Sequence, residues 1–173
     1  MAREADILVI GYGNPGRLDD GLGPALARQL EAACPPGVTV ESDYQLTVED
    51  AATAARHEVV IFADADASGP APFRFRPVRV GDARGGFSTH AVEPEQVLGL
   101  ARELFAAGTK GYTLGIRGYE FRRFGERLSP GARANLAAAV EFLLGLLRTR
   151  RFDDAAAGHA DPGGAGRDIE ERP

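Results

Sequence analysis

Asp6-Ile7-Leu8-Val9-Ile10-Gly11-Tyr12-Gly13-Asn14-Pro15-Gly16-Arg17-Leu18-Asp19-Asp20-Gly21 lies near the start of the 173-residue chain. Its first six residues are a short apolar run that stops at a glycine, the mark of a strand buried on both faces in a parallel sheet. A Gly-rich turn follows. A helix is then predicted from about Gly21 to Ala33, where Leu22, Leu26 and Leu30 recur every four residues and build one apolar face.

The same alternation continues outward. Val38-Thr39-Val40-Glu41 reads as a second strand, and Thr47-Val48-Glu49-Asp50 as a helix start with a hydroxyl and acids in its first turn. Val59-Val60-Ile61-Phe62-Ala63, ending in Asp64, is predicted as a central strand. Phe73-Arg74-Phe75-Arg76-Pro77-Val78 alternates strictly and carries a proline, which suits an edge strand with one wet face. Residues 81–92 read as loop. Pro94 opens a helix to about Ala106, Lys110 to Ile116 is a further strand, and Ser129-Pro130 caps and opens a last helix. Leu136, Val140, Leu143, Leu144 and Leu147 form that helix's predicted buried face. The expectation is an α/β three-layer sandwich: a mostly parallel sheet of about five strands, one antiparallel edge strand and helices on both faces.

Length and composition fit one domain, at 44% hydrophobic and 26% charged residues. Residues 1–150 are assigned to it. After Arg150 the chain turns to Ala, Gly, Asp, Glu and Pro, so 151–173 are expected to be a disordered, dispensable acidic tail. No apolar stretch is long enough to span a membrane, and the first residues contain no apolar segment of the signal-peptide kind. The single Cys34 excludes an internal disulfide and suits a reducing cytoplasm; it is expected to be buried or half-buried. A net charge of −5 argues against nucleic acid as the partner.

Ligands of parallel α/β sheets sit beyond the carboxyl ends of the strands, near a switch in strand order. Asp19-Asp20 follow the first strand, Asp64 ends the third, and His90 lies in the long loop after the edge strand. Two carboxylates and an imidazole are a reasonable ligand set for nickel or zinc. Each has a plainer reading. Asp19 and Asp20 can cap a helix start, Asp64 can close a turn with Asp66 and Gly69, and His90 can bond to backbone. His57 and His159 are read as surface residues. The chain has no H-E-x-x-H or G-x-S-x-G signature, and nothing marks Ser88 as an activated nucleophile.

Gly11-Tyr12-Gly13-Asn14-Pro15-Gly16 is formally G-x-G-x-x-G, which raises a Rossmann-like nucleotide-binding module as an alternative. Against it, Asp19 and Asp20 stand where a pyrophosphate would need the helix N-terminus, and would repel it.

The run from Ile7 to Gly23 resembles the opening of nickel–iron hydrogenase maturation endopeptidases: an apolar strand, G-x-G-N, a short linker, then D-[DE]-x-x-G. Phe62-Ala63-Asp64-Ala65 is similar to the family's strand-end aspartate, and Ser88-Thr89-His90 to its loop histidine. Leu114-Gly115-Ile116-Arg117-Gly118-Tyr119-Glu120 and Leu128-Ser129-Pro130 resemble its last strand and final helix entry. The resemblance covers about residues 7–147. Gly-Asn-Pro-Gly alone is shared with peptidyl-tRNA hydrolases, whose Thr-Arg-His-Asn segment is missing from this sequence.

This resemblance implies a cytoplasmic endopeptidase that removes the C-terminal peptide of a hydrogenase large-subunit precursor. Asp20, Asp64 and His90 would be both its catalytic and its metal-contacting residues. Nickel would be a recognition element carried by the precursor, and zinc or cadmium could occupy the same ligands. Many relatives have Glu at the position of Asp20, so the shorter aspartate alters the reach to the metal. Hydrolysis would proceed through an activated water or in the aspartic manner, with two carboxylates sharing a proton. A non-catalytic, metal-sensing partner of a hydrogenase assembly complex is the third reading.

Overall fold

β1 (Ile7–Tyr12) is hydrogen-bonded in parallel to β2 (Val38–Asp43) on one side and to the central strand β3 (Val59–Asp66) on the other. The computed structural model describes residues 6–80 and 92–159. Beyond β3 come β5 (Lys110–Arg117), also parallel, and β4 (Phe73–Pro77), antiparallel to β5 at the edge, giving the order β2-β1-β3-β5-β4. The expected mostly parallel sheet with one antiparallel edge strand is therefore found. In β4, Phe73 and Phe75 are buried while Arg76 faces out, as the alternation requires.

Helices cover both faces. α1 (Leu22–Ala33) and α4 (Pro130–Thr149) lie against Ile7, Val9, Leu114 and Ile116 of the sheet, with Leu22, Leu26 and Leu30 fully buried. Truncating Leu26 to alanine in such a core would cost about 3 kcal/mol. α2 (Asp50–Ala55) and α3 (Pro94–Phe105) bury Ala51, Ala54, Val97 and Leu98 against Leu8, Ile10, Val60 and Phe62. α4 starts where Ser129-Pro130 predicted: Ser129 Oγ accepts the Ala132 N–H at 3.3 Å. No helix among the described residues is long and apolar enough to cross a membrane.

Three expectations are corrected. The domain does not end at Arg150, because α5 (Phe152–Gly158) docks on the edge of the sheet. Phe152 and Ala156 are buried, Phe152 lies 5.6 Å from the Tyr112 ring, and Asp153 accepts hydrogen bonds from the Tyr112 hydroxyl and from Lys110 Nζ. His159, read as a surface residue, has ring contacts with Phe73 at 5.2 Å and Phe142 at 5.1 Å. One aromatic anchor in a polar, alanine-rich segment is enough to dock a short helix, and composition averages it away. The rest of the expected tail, 160–173, lies outside the described residues. Cys34 is exposed rather than buried, in the left-handed conformation that ends α1.

Candidate functional site

The strand order reverses between β1 and β3, so their carboxyl ends open onto the switch point of the sheet. Gly11 and Gly23 allow the first turn of α1 to sit against β1. A Cβ on Gly11 would fall 2.2 Å from the Gly23 carbonyl oxygen, and one on Gly23 would fall 2.2 Å from that of Tyr12. Gly13, at φ +140°, then turns the chain under the Asp20 carbonyl. These glycines bring backbone to backbone and leave no cradle for phosphate. The loop's own N–H groups are also engaged: Asn14 N–H donates to Asp20 Oδ2 at 2.9 Å, and Gly16 N–H to Asn14 Oδ1 at 2.9 Å. The nucleotide-binding alternative loses its structural basis here.

Asp19 and Asp20 separate into different roles. Asp19 is fully buried and caps neither the short 3-10 turn Leu18–Gly21 nor α1. Its carboxylate accepts from the N–H groups of Tyr119, Glu120 and Ser129 and from the Ser129 hydroxyl, all between 2.7 and 2.9 Å. Burial alone would raise its pKa, but these four donors hold it below the ordinary aspartate value. Asp20 is only half-buried, and with Oδ2 tied to Asn14 its Oδ1 has no hydrogen-bond partner among the described residues.

Asp64 mirrors Asp20 from β3, two residues before the strand ends at Asp66 rather than at the strand end expected. Its Oδ1 accepts the Ala65 N–H at 2.7 Å, and its Oδ2 makes no hydrogen bond among the described residues. Burial lifts its pKa to about 7, opposed by the Ala65 hydrogen bond and reinforced by the charges of Asp20, Glu93 and Asp66. The turn-closing role that Asp64 could have played belongs to Asp66, which accepts from the N–H groups of Ser68 at 3.0 Å and Gly69 at 2.7 Å. Asp64, Tyr12, Glu93, Glu95 and Arg74 line a cleft of about 360 Å³. Burial, then the charges of Asp64, Glu93 and Glu95, hold the Tyr12 hydroxyl well above its usual range.

Of the three expected site residues, then, Asp20 and Asp64 are brought within electrostatic reach of each other, and His90 lies outside the described residues. Among the described residues no group of three or more His, Cys, Asp or Glu forms a metal-binding set. Glu93 was not anticipated. It is the N-cap of α3, its side chain accepting an N–H of the first turn while Gln96 Oε1 accepts the Glu93 N–H at 2.8 Å. Pro94 carried the signal, since a proline opening a helix puts the residue before it at the cap, here at the same end of the sheet as Asp64. Tyr12, the last residue of β1, was hidden inside a glycine motif.

No family model matches the sequence, and no curated protein does. Solved structures match closely in fold. A nickel–iron hydrogenase maturation protease from Thermococcus kodakarensis KOD1 superposes with a TM-score of 0.66 at 21% identity, over 84% of this chain and 94% of that one. A hydrogenase 2 maturation peptidase from Thaumarchaeota archaeon SCGC_AB-539-E09 gives 0.61 at 26% identity, over 82% and 97%. The hydrogenase maturating endopeptidase HybD of E. coli gives 0.59 at 25% identity, over 84% and 93%. These likenesses bear out the family resemblance drawn from the motifs, and with it the reading of the chain as a peptidase of that fold.

Proposed function

Starting from its family, the hydrogenase maturation endopeptidases, we propose that this chain removes the C-terminal peptide of a nickel-loaded hydrogenase large-subunit precursor. Asp20, Asp64 and His90 contact the nickel that the precursor brings. The observation that carries this reading is the pair of carboxylates at the carboxyl side of the sheet, Asp20 in the 3-10 turn after β1 and Asp64 near the end of β3. Each has one oxygen held by a backbone N–H and the other oxygen free of hydrogen bonds among the described residues. Anchored that way, a carboxylate is oriented before substrate arrives, and an oxygen donor of this kind is acceptable to nickel or zinc.

The chemistry follows from the different environments of the two acids. Asp64, with a pKa near 7, can take a proton from an attacking water and return it to the departing amide nitrogen. Asp20, whose charge acts on Asp64, has Oδ2 held by the Asn14 N–H and turns its other oxygen to the metal. Water oxygen bonds to the carbonyl carbon, the C–N bond breaks, and the proton ends on the new amino group. Nickel belongs to the substrate throughout.

The test is mass spectrometry of nickel-loaded large-subunit precursor before and after mixing with this protein. Loss of a C-terminal peptide with wild type, and none with Asp20→Asn or Asp64→Asn, is the expected result. Binding of the precursor with its mass unchanged would replace the endopeptidase by a metal-sensing partner.

A further inference from the structure

Beside the candidate site, between the 3-10 turn and the segment that follows β5, lies a groove of about 720 Å³. Arg117, Arg122, Arg123 and Arg127 line it against the single Glu120, with Tyr119 and Phe121 as aromatic walls. Phe124 lines an adjoining hollow that shares Leu18, Arg123 and Arg127 with the groove and also holds Glu126, and a fifth cation, Arg17, has its guanidinium 5.9 Å from the centre of the Phe124 ring. None of these five arginines forms an ion pair among the described residues. In a chain of net charge −5, such a concentration of unpaired cations is a local feature. Apolar surface accompanies it: Phe124 is 86% exposed and Tyr119 49%.

The groove is held rigidly to the candidate site. Leu18 N–H donates to the Gly125 carbonyl and Gly125 N–H to the Gly16 carbonyl, both at 2.8 Å, so its far wall is stitched to the loop that carries Asp20. The near wall is tied to Asp19 through Tyr119 and Glu120. Asn135 Nδ2 steadies it from α4, donating to the Arg117 carbonyl at 2.9 Å and the Tyr119 hydroxyl at 3.1 Å. A chain seated there would lie alongside the carboxyl end of the sheet.

We propose that this groove binds an acidic, apolar-flanked segment of the precursor polypeptide and so selects which large subunit is presented for cleavage. This rests on the endopeptidase reading for the identity of the polypeptide. Guanidinium groups fork onto carboxylates, the aromatic walls accept the intervening apolar side chains, and the overall negative charge of the enzyme works against a long polyanion.

The probe is a fluorescein-labelled 12-residue peptide of alternating Glu and Leu, with the Gln–Leu peptide and a uridine 12-mer as comparisons, followed by anisotropy at 50 and 300 mM salt. Wild type should bind the Glu–Leu peptide at least tenfold more tightly than either comparison, and less tightly at the higher salt. The double variant Arg122→Glu/Arg123→Glu should abolish that preference and Arg122→Gln/Arg123→Gln should weaken it, with melting temperatures unchanged because both side chains are exposed. Arg28→Glu/Arg56→Glu, an equal charge change at exposed positions elsewhere, should leave it intact. Absence of the preference, its survival in Arg122→Glu/Arg123→Glu, its loss in the Arg28/Arg56 control, or tighter binding of the uridine 12-mer would each overturn the proposal. Binding is read without nickel or cleavage. A protein that selects the Glu–Leu peptide yet never cuts precursor would therefore refute the endopeptidase and not the groove.

Discussion

Asp19 and Ser129, 110 residues apart in sequence, are joined twice: the Ser129 N–H donates to Asp19 Oδ1 and the Ser129 hydroxyl to Asp19 Oδ2, both at 2.7 Å. The same hydroxyl accepts the Ala132 N–H and caps α4. One carboxylate thus locks the loop after β1, the segment after β5 and the start of the last helix into a single body, and Asp20 is held in place as its neighbour.

A capping role at a helix start, the plainer reading of Asp19 in the sequence, would make Asp19→Asn mild, and the geometry reverses that expectation. Four donors converge on the carboxylate, so an amide nitrogen would face an N–H or O–H whichever way it is flipped. Asp19→Asn should lose about 3 kcal/mol or more, seen as a large drop in Tm, and Ser129→Ala about 1–2 kcal/mol through the lost cap and donor. The folded pKa of Asp19 is depressed, so its stabilisation is present above the unfolded carboxylate value of about 4 and is lost as pH falls through the folded value. The gap in Tm between wild type and Asp19→Asn should therefore narrow in acid. A gap that is constant from pH 7 to pH 3 would contradict this account.

Asp64 has the opposite sign. Its folded pKa of about 7 lies above the unfolded value, so the folded state keeps a proton that the unfolded chain releases. Wild type should lose stability as pH rises from about 4 to about 7, with no further loss from this group above that. Asp64→Asn removes the penalty. The metal-free variant should match wild type near pH 4 and exceed it by about 2 kcal/mol at pH 8, while processing of precursor is lost. Greater stability with less activity is the pattern expected of a functional group held in an unfavourable place. Equal melting curves at pH 8 would show that burial does not strain this carboxyl.

What the sequence disclosed and what it hid divide along the distance of the contacts. Strands, helices and caps rest on neighbours within a few residues, so Ile7–Ile10, the Leu22/Leu26/Leu30 stripe and Ser129-Pro130 could be read directly. Asp20 and Asp64 were found because parallel strands place their carboxyl ends together whatever lies between. The role of Asp19 rests on donors 100 to 110 residues away, and no local pattern announces them. The approach of Glu93 to Asp64 depends on how α3 is laid on the sheet. Phe152 was overlooked because a lone aromatic in an alanine-rich stretch carries no periodicity.

The docking of α5 gives a third prediction. Phe152 is 7% exposed and contacts Tyr112, so Phe152→Ala should cost about 3 kcal/mol, or roughly 6–12 °C in Tm. A chain ending at Arg150 should lose at least as much, whereas one ending at His159 should melt like the full-length protein. Unchanged melting of the Arg150 form would mean that the helix contributes nothing in solution.

The last prediction concerns whose metal it is. A structural metal site is usually closed by four protein ligands, and a catalytic zinc keeps three plus a water, each steadied by further hydrogen bonds. Asp20, in the 3-10 turn after β1, and Asp64, near the carboxyl end of β3, are half-buried and each offer one oxygen, the other accepting a backbone N–H. On the proposed ligand set, with His90 as the third member, three donors would be too few to close a site before the precursor adds its own. Freshly purified protein should therefore contain far less than one metal per chain by elemental analysis. Added nickel, zinc or cadmium should bind weakly, and Asp20→Asn should lower that affinity at least tenfold, measured by calorimetry without any precursor. Chelator-treated enzyme should still cleave nickel-loaded precursor and should leave the nickel-free form intact. Stoichiometric metal in the purified protein, together with loss of activity when it is stripped, would make the metal resident and the enzyme an ordinary metallopeptidase.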